Sequence, residues 1–149
     1  MNRNTLRTVH LTAAATAMGL IVLFWTSTVI SELFLSYQAV ARLKQFIVYA
    51  MILMIASMAL AGAAGMKMGG KSKHPKISAK RKRMPVIALN GLLVLVPCAL
   101  FLNGKAGRGE FDGVFHAVQM VELIAGFINM SLMGLSMRDG KAIRKPKNG

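Results

Sequence analysis

Apolar residues run along this chain in four long stretches, about Leu11–Leu35, Phe46–Gly65, Val86–Leu102 and Val114–Met137, with short polar segments between them. An α-helix rises 1.5 Å per residue, so roughly 20 residues cross a hydrocarbon core about 30 Å thick. Each stretch is near or above that length. Unbroken apolar runs of this size satisfy their backbone N–H and C=O groups in lipid by forming helices. The pattern predicts an all-α polytopic membrane protein, with four transmembrane helices making one domain over residues 1–149. The connections, at Ser36–Gln45, 67–83 and Asn103–Gly113, are short enough for an up-down-up-down bundle.

Local signals sharpen the ends. Asn103-Gly104 and Gly107-Arg108-Gly109 carry turn chemistry, with Asn103 placed to cap the third span. Asp112 sits where an N-cap of the fourth span belongs. Arg138-Asp139-Gly140 reads as that helix's end, with Gly140 as its C′ residue. Pro97 removes a backbone donor inside the third span, so Pro97 and Gly91 are the expected bend or hinge.

Composition agrees with a membrane class: mean hydropathy is +0.50 and only 16% of residues are charged. A formal charge of +14 invites a nucleic-acid partner, but the placement of the charges argues for lipid. With a cytoplasmic N-terminus, Arg3, Arg7, the basic 67–83 loop and Arg138–Lys147 fall inside. Only Arg42, Lys44, Lys105 and Arg108 fall outside. That is the positive-inside asymmetry of an inner (cytoplasmic) membrane protein with both termini cytoplasmic. The 67–83 loop should lie against anionic headgroups, at about 1 kcal/mol per Lys or Arg. Leu11–Leu35 is too long for a signal peptide's apolar core of about 7–15 residues, so it reads as an uncleaved span despite Ala39-Val40-Ala41 behind it. Cys98 is the single cysteine, which excludes intrachain disulfides and Cys-cluster metal sites.

On the second span Ser57, Ala61 and Gly65 recur every four residues, and Ala59 and Ala63 form a second small row. This spacing lets helices approach closely, as neighbours in one chain or as a seam between copies. On the fourth span Asp112, His116, Gln119, Glu122, Gly126, Asn129 and Met133 follow helical steps of three and four residues. A polar stripe on a membrane helix must face protein or water. Glu122, about 12 Å below Val114, is its sharpest member. One expectation is structural: desolvation favours the protonated acid, bonded to Thr26, Thr28 or Ser31, while Asn129 meets Asn90. Another is a proton or cation site formed by Glu122 and Glu32. A third is a redox or lipid-substrate site using His116.

Bis-histidine haem b needs two facing histidines at one depth. His10 and His116 fall at opposite ends of their spans, and His74 lies in the basic loop. Met51, Met54 and Met58 share one face, where methionine ordinarily fills irregular apolar space. No metal is expected. No nucleophile–base set or phosphate loop stands out, so catalysis is not the first expectation. The favoured reading is an accessory or binding subunit, alone, as a homo-oligomer or in a larger membrane complex. A proton- or cation-coupled transporter and a haem- or quinone-linked or lipid-modifying protein are the alternatives.

Overall fold

The computed structural model describes residues 2–70 and 72–144, and every element within them is helical. Helix α1 spans Arg3–Phe34 and α2 spans Tyr37–Gly69. Helix α3 spans Pro75–Gly107 and α4 spans Gly113–Arg144. All four are long and apolar enough to cross a membrane. Lys71, Lys145 and Lys147, which the charge pattern puts on the cytoplasmic side, lie outside the described residues.

The helices outrun their apolar stretches, and this corrects the expected connections. The Ser36 hydroxyl accepts from the Ala39 N–H at 3.3 Å and starts α2 directly after Leu35. The supposed Ser36–Gln45 loop is therefore a two-residue link, and Arg42 and Lys44 ride on α2. The basic 67–83 segment is also mostly helix. Lys67 closes α2, and Lys76–Arg83 form the first turns of α3, behind a His74 cap and Pro75 at the first helical position. Lysine and arginine are good helix formers, so charge beyond the apolar run does not stop a helix. Asn103 is interior to α3 rather than a cap. Asp112 does cap α4, accepting from the Phe115 N–H at 2.9 Å. Gly140 does not end α4, which continues to Arg144. Asp139 is instead held by Arg83 of α3 at 2.7 Å, tying this turn into the bundle.

Gly91 and Pro97 bracket an irregularity of the expected kind. Gly91–Leu95 form a π turn inside α3, in which the Val96 N–H reaches back five residues to the Gly91 carbonyl. In a regular helix the Pro97 ring would strike the Leu93 carbonyl; the wider turn takes up that conflict. Pro85 is a second interior proline that the pattern did not single out.

Two apolar clusters hold the bundle. Ile21, Phe24, Ile47, Met51, Met54 and Leu95 lead the central one. Val40, Leu102, Ala106 and Phe115 form a smaller one near the α1–α2 link. Large apolar side chains also cover the outside, with Leu33, Ile52, Leu93 and Phe127 all more than half exposed. A surface this apolar matches hydrocarbon rather than water.

The small residues of α2 serve α1. The His10 Nδ1–H donates to the Ala61 carbonyl at 2.8 Å. The Lys80 ammonium donates to Nε2 at 3.1 Å. A carbonyl can only accept and an ammonium only donate, so the Nδ1–H tautomer of the ring is the one that meets both partners. A Cβ at Gly65 would lie 3.1 Å from His10 Cε1. Ser57 and Ala61 are buried, whereas Ala59 and Ala63 are exposed.

Candidate functional site: a buried Lys–Gln–Glu cluster

The fourth helix delivers its polar stripe in two parts. Gln119, Gly126 and Asn129 are buried and Glu122 is half-buried, while Asp112 and His116 are exposed. Helix geometry explains the split. Each step of three residues falls short of a full turn by about 60°, so two such steps rotate His116 about 120° from Glu122. His116 packs edge-on against Phe115, with ring centroids 5.5 Å apart, away from Gln119 and Glu122.

Facing the inner part of the stripe is Lys44, a residue first assigned to an outer connection. Its side chain is 1% exposed. Val40, Lys44, Ile47, Met51 and Met54 are all buried at helical spacing on α2. Lys44 thus occupies a core position, and its ammonium extends across to α4. It donates to the Gln119 carbonyl and to Glu122 Oε2 at 3.1 Å. Gln119 Nε2 donates in turn to Glu122 Oε2 at 2.7 Å. The three side chains close on one another, each polar head meeting the other two.

This corrects the expected surroundings of Glu122. Its partners are a cation and an amide, not Thr26, Thr28 or Ser31. Thr26 faces outward, and Ser31 Oγ donates to the Thr28 carbonyl at 2.9 Å within α1. Lys44 sets a cation 3.1 Å from the Glu122 carboxyl. Pairing does not make the cluster inexpensive to bury, because desolvating two ions can exceed their attraction.

Beside Glu122 lies a cavity of about 50 Å³, walled mainly by Phe24, Trp25, Met51, Met54 and Leu95, with Thr28 adding a hydroxyl. This is room for a water or two. Trp25 reaches it from α1, donating its indole N–H to the Leu123 carbonyl at 2.9 Å. Gly126 makes way for that ring, since a Cβ there would meet Trp25 Cδ1 at 3.2 Å. The absence of a side chain at Gly126 is thus what seats the aromatic wall.

Farther along α4, Asn90 and Asn129 meet as expected. Asn90 Nδ2 donates to Asn129 Oδ1 at 2.8 Å and to the Ala125 carbonyl at 2.9 Å. Their contact falls at the start of the π turn, so the polar pair and the irregular backbone share one level. Glu32 lies near the end of α1 and does not join the Lys44 cluster. Its Oε1 is buried without a hydrogen-bond partner among the described residues. Three groups of metal-ligating type do not converge anywhere among the described residues.

The Lys44 end closes with a charged clasp. Lys105 bridges Asp112 at 2.9 Å and Glu110 at 3.4 Å, and Arg108 pairs with Glu110 at 3.1 Å. The Phe115 N–H first, and Lys105 second, hold the Asp112 carboxyl below the usual carboxylate range. Arg108 does the same for Glu110. A carboxyl with a depressed native pKa contributes stability above its unfolded value, near 3.9 for aspartate, and loses it as pH falls through the native value. Amide protection factors across 108–116 should therefore fall on acidification below about pH 4, and Asp112→Asn should remove most of that dependence. Protection factors unchanged by acidification in the unmodified chain would show that the clasp does not order this link.

Lys44, Lys105 and the Arg83–Asp139 pair escaped the sequence reading. For Lys44 a signal existed: Ser36 is a good N-cap, and a helix beginning there puts Lys44 in phase with Ile47, Met51 and Met54. Compared with protein-family models, curated proteins and solved structures, the chain finds no match.

Proposed function

We propose that this is a small integral protein of the inner (cytoplasmic) membrane, acting as an accessory or binding subunit without catalysis of its own. In this reading the bundle runs up-down-up-down. Both termini and the 70–74 link are cytoplasmic, and the α1–α2 and α3–α4 links face outward, as the distribution of Lys and Arg favours. The observation that carries the reading is the closure of the Lys44–Gln119–Glu122 cluster. Its polar heads are spent on one another, and the cavity beside it, about 50 Å³ and walled mostly by apolar side chains, is small for a substrate. Such a cluster fixes helix register, and it leaves the long apolar exterior as the surface offered to lipid and partner helices.

Proton- or cation-coupled transport is the second reading. It is favoured by the buried, unpartnered Glu32 Oε1 at the same end as the Lys44–Glu122 pair. An intramembrane carboxylate is a functional-site hypothesis by default. The two readings part on one experiment: proton flux into liposomes bearing the wild type, Glu32→Gln or Glu122→Gln. The accessory reading expects no flux above empty liposomes and a folded Glu122→Gln protein. Flux in the wild type that both substitutions abolish would overturn it. Single cysteines at Ser72 and Gly109 in a Cys98→Ala background test the orientation, and external labelling of Ser72→Cys would reverse it.

A further inference from the structure

The two ends of the bundle differ in electrostatic balance. The four acids Glu32, Glu110, Asp112 and Glu122 share one end with the four cations Arg42, Lys44, Lys105 and Arg108. That end is neutral, and most of its charges are paired internally. Asp139 is the single acid left for the opposite end. Among the described residues the surplus of positive charge therefore belongs to one end of the molecule.

On each helix the exposed surface changes from apolar to cationic at that end. The change falls between Leu11 and Arg7 on α1, and at Met66 and Lys67 on α2. On α3 it falls between Val86 and Lys82, and on α4 at Met137 and Arg138. Contacts put these changes at one level. His10 bonds Ala61 and Lys80, a Cβ at Gly62 would meet Met84, and Arg83 bonds Asp139. A cationic belt so aligned is the shape of a contact with a headgroup layer.

Within the belt the seam between α3 and α4 gathers cations around one buried acid. Asp139 is 6% exposed and pairs with Arg83 at 2.7 Å. Arg138 makes a longer ion pair with the same carboxylate, at 3.6 Å, and Lys76 lies two helical turns before Arg83 on the same face of α3. One acid neutralises one of these three cations. Arg83 is held by the short ion pair, whereas Arg138, on the longer one, is 71% exposed and Lys76 is exposed, both open to an incoming anion.

We infer that the α3–α4 seam at Lys76, Arg83 and Arg138 binds the phosphate-bearing headgroup of an acidic phospholipid. Asp139 orients Arg83, and Arg138 and Lys76 carry the uncompensated charge. The acyl chains lie on the apolar faces of α3 and α4 beyond Val86 and Met137. Arginine and lysine both favour phosphate oxygens, arginine through paired N–H donors. The inference rests on the membrane-spanning reading but fails separately from it.

The test is native mass spectrometry of the full chain purified in detergent, offered phosphatidylglycerol or phosphatidylcholine with identical acyl chains. Preferential retention of phosphatidylglycerol is expected, and Lys76→Gln with Arg138→Gln should lower it roughly thirty-fold, taking each cation at its usual strength near an anionic surface. Arg42→Gln, at the neutral end, should leave it unchanged. Equal retention of the two lipids overturns the site, as does a folded double variant that keeps the preference. Displacement of phosphatidylglycerol by inorganic phosphate would assign the seam to a soluble anion instead, overturning the lipid assignment. If the double variant fails to fold, the wild type decides, because its preference must fall at high salt, where exposed charges are screened. Retention of neither lipid, together with failure to enter bilayers, would instead remove the membrane reading itself.

Discussion

Lys44→Met is expected to destabilise the bundle by about 3–5 kcal/mol, the usual penalty for removing one partner of a buried ion pair. The large effect follows from burial. Lys44 is 1% exposed and Glu122 14% exposed, so bulk water has little access to the broken pair. Methionine matches the length of the lysine stem, so little packing is lost and the deficit is electrostatic. It falls on Glu122, which keeps only the Gln119 amide, and on the Gln119 carbonyl, which loses its donor. Glu122→Leu should be comparably damaging, since it leaves an ammonium against one amide. The double variant Lys44→Met with Glu122→Leu should recover most of the loss. Replacing both ions of a buried pair by apolar groups is often neutral or stabilising. Reversible unfolding of all four proteins in bicelles gives the coupling energy directly. Strictly additive single effects would mean that the ammonium and the carboxylate do not interact in the membrane. The same series bears on function: a stable double variant that still associates normally would mark the pair as a register device, replaceable by packing.

How much of this was legible beforehand depends on which physical signal each feature leaves. The four helices were plain, because an apolar run of about 20 residues has few other ways to satisfy its backbone in lipid. The meeting of Asn90 and Asn129 was legible for a related reason: two amides at one depth have little else to bond. The helix ends were not, because the reading equated polarity with loop. Helical Lys76–Arg83 shows the error. Membrane thickness ends the apolar run, while backbone hydrogen bonding ends the helix, and the two need not coincide. The same error hid Lys44, since a cation close to an apolar boundary looks like a solvated terminus. A lysine stem spans several ångströms, however, and can carry its charge inward as readily as outward. His116 was misplaced by treating steps of three and four as interchangeable, when two successive steps of three rotate a side chain off the stripe. Which carboxylate would find which cation is a tertiary fact, carried by the packing of α2 against α4 rather than by either helix alone.

Gly65→Leu should destabilise the α1–α2 pair by about 1–3 kcal/mol, the range for forcing a larger side chain into a packed seam. The first atom added is already tight, and whether the imidazole can give way decides the sign. A Cβ at Gly65 would sit 3.1 Å from His10 Cε1 and 3.2 Å from Nδ1, closer than side chains normally approach. Relief requires the imidazole to move, and the imidazole is tethered at both nitrogens, to the Ala61 carbonyl at 2.8 Å and to Lys80 at 3.1 Å. Any shift that clears the new side chain lengthens one or both bonds. Ala61→Leu should act through the same seam, because Ala61 is buried against α1. His10→Ala alone should cost less than Gly65→Leu. It opens a gap and takes the ring from the Ala61 carbonyl, already bonded within its helix, and from the part-exposed Lys80, but it forces no atom into an occupied space. The informative protein is therefore the double variant. His10→Ala with Gly65→Leu puts an apolar side chain into the space vacated by the imidazole, and its stability should exceed that of Gly65→Leu alone. Thermal unfolding followed by circular dichroism in one detergent ranks the four proteins. A Gly65→Leu protein that melts with the wild type would place this face of α2 against lipid. A double variant no better than Gly65→Leu would mean that something other than His10 fills the slot.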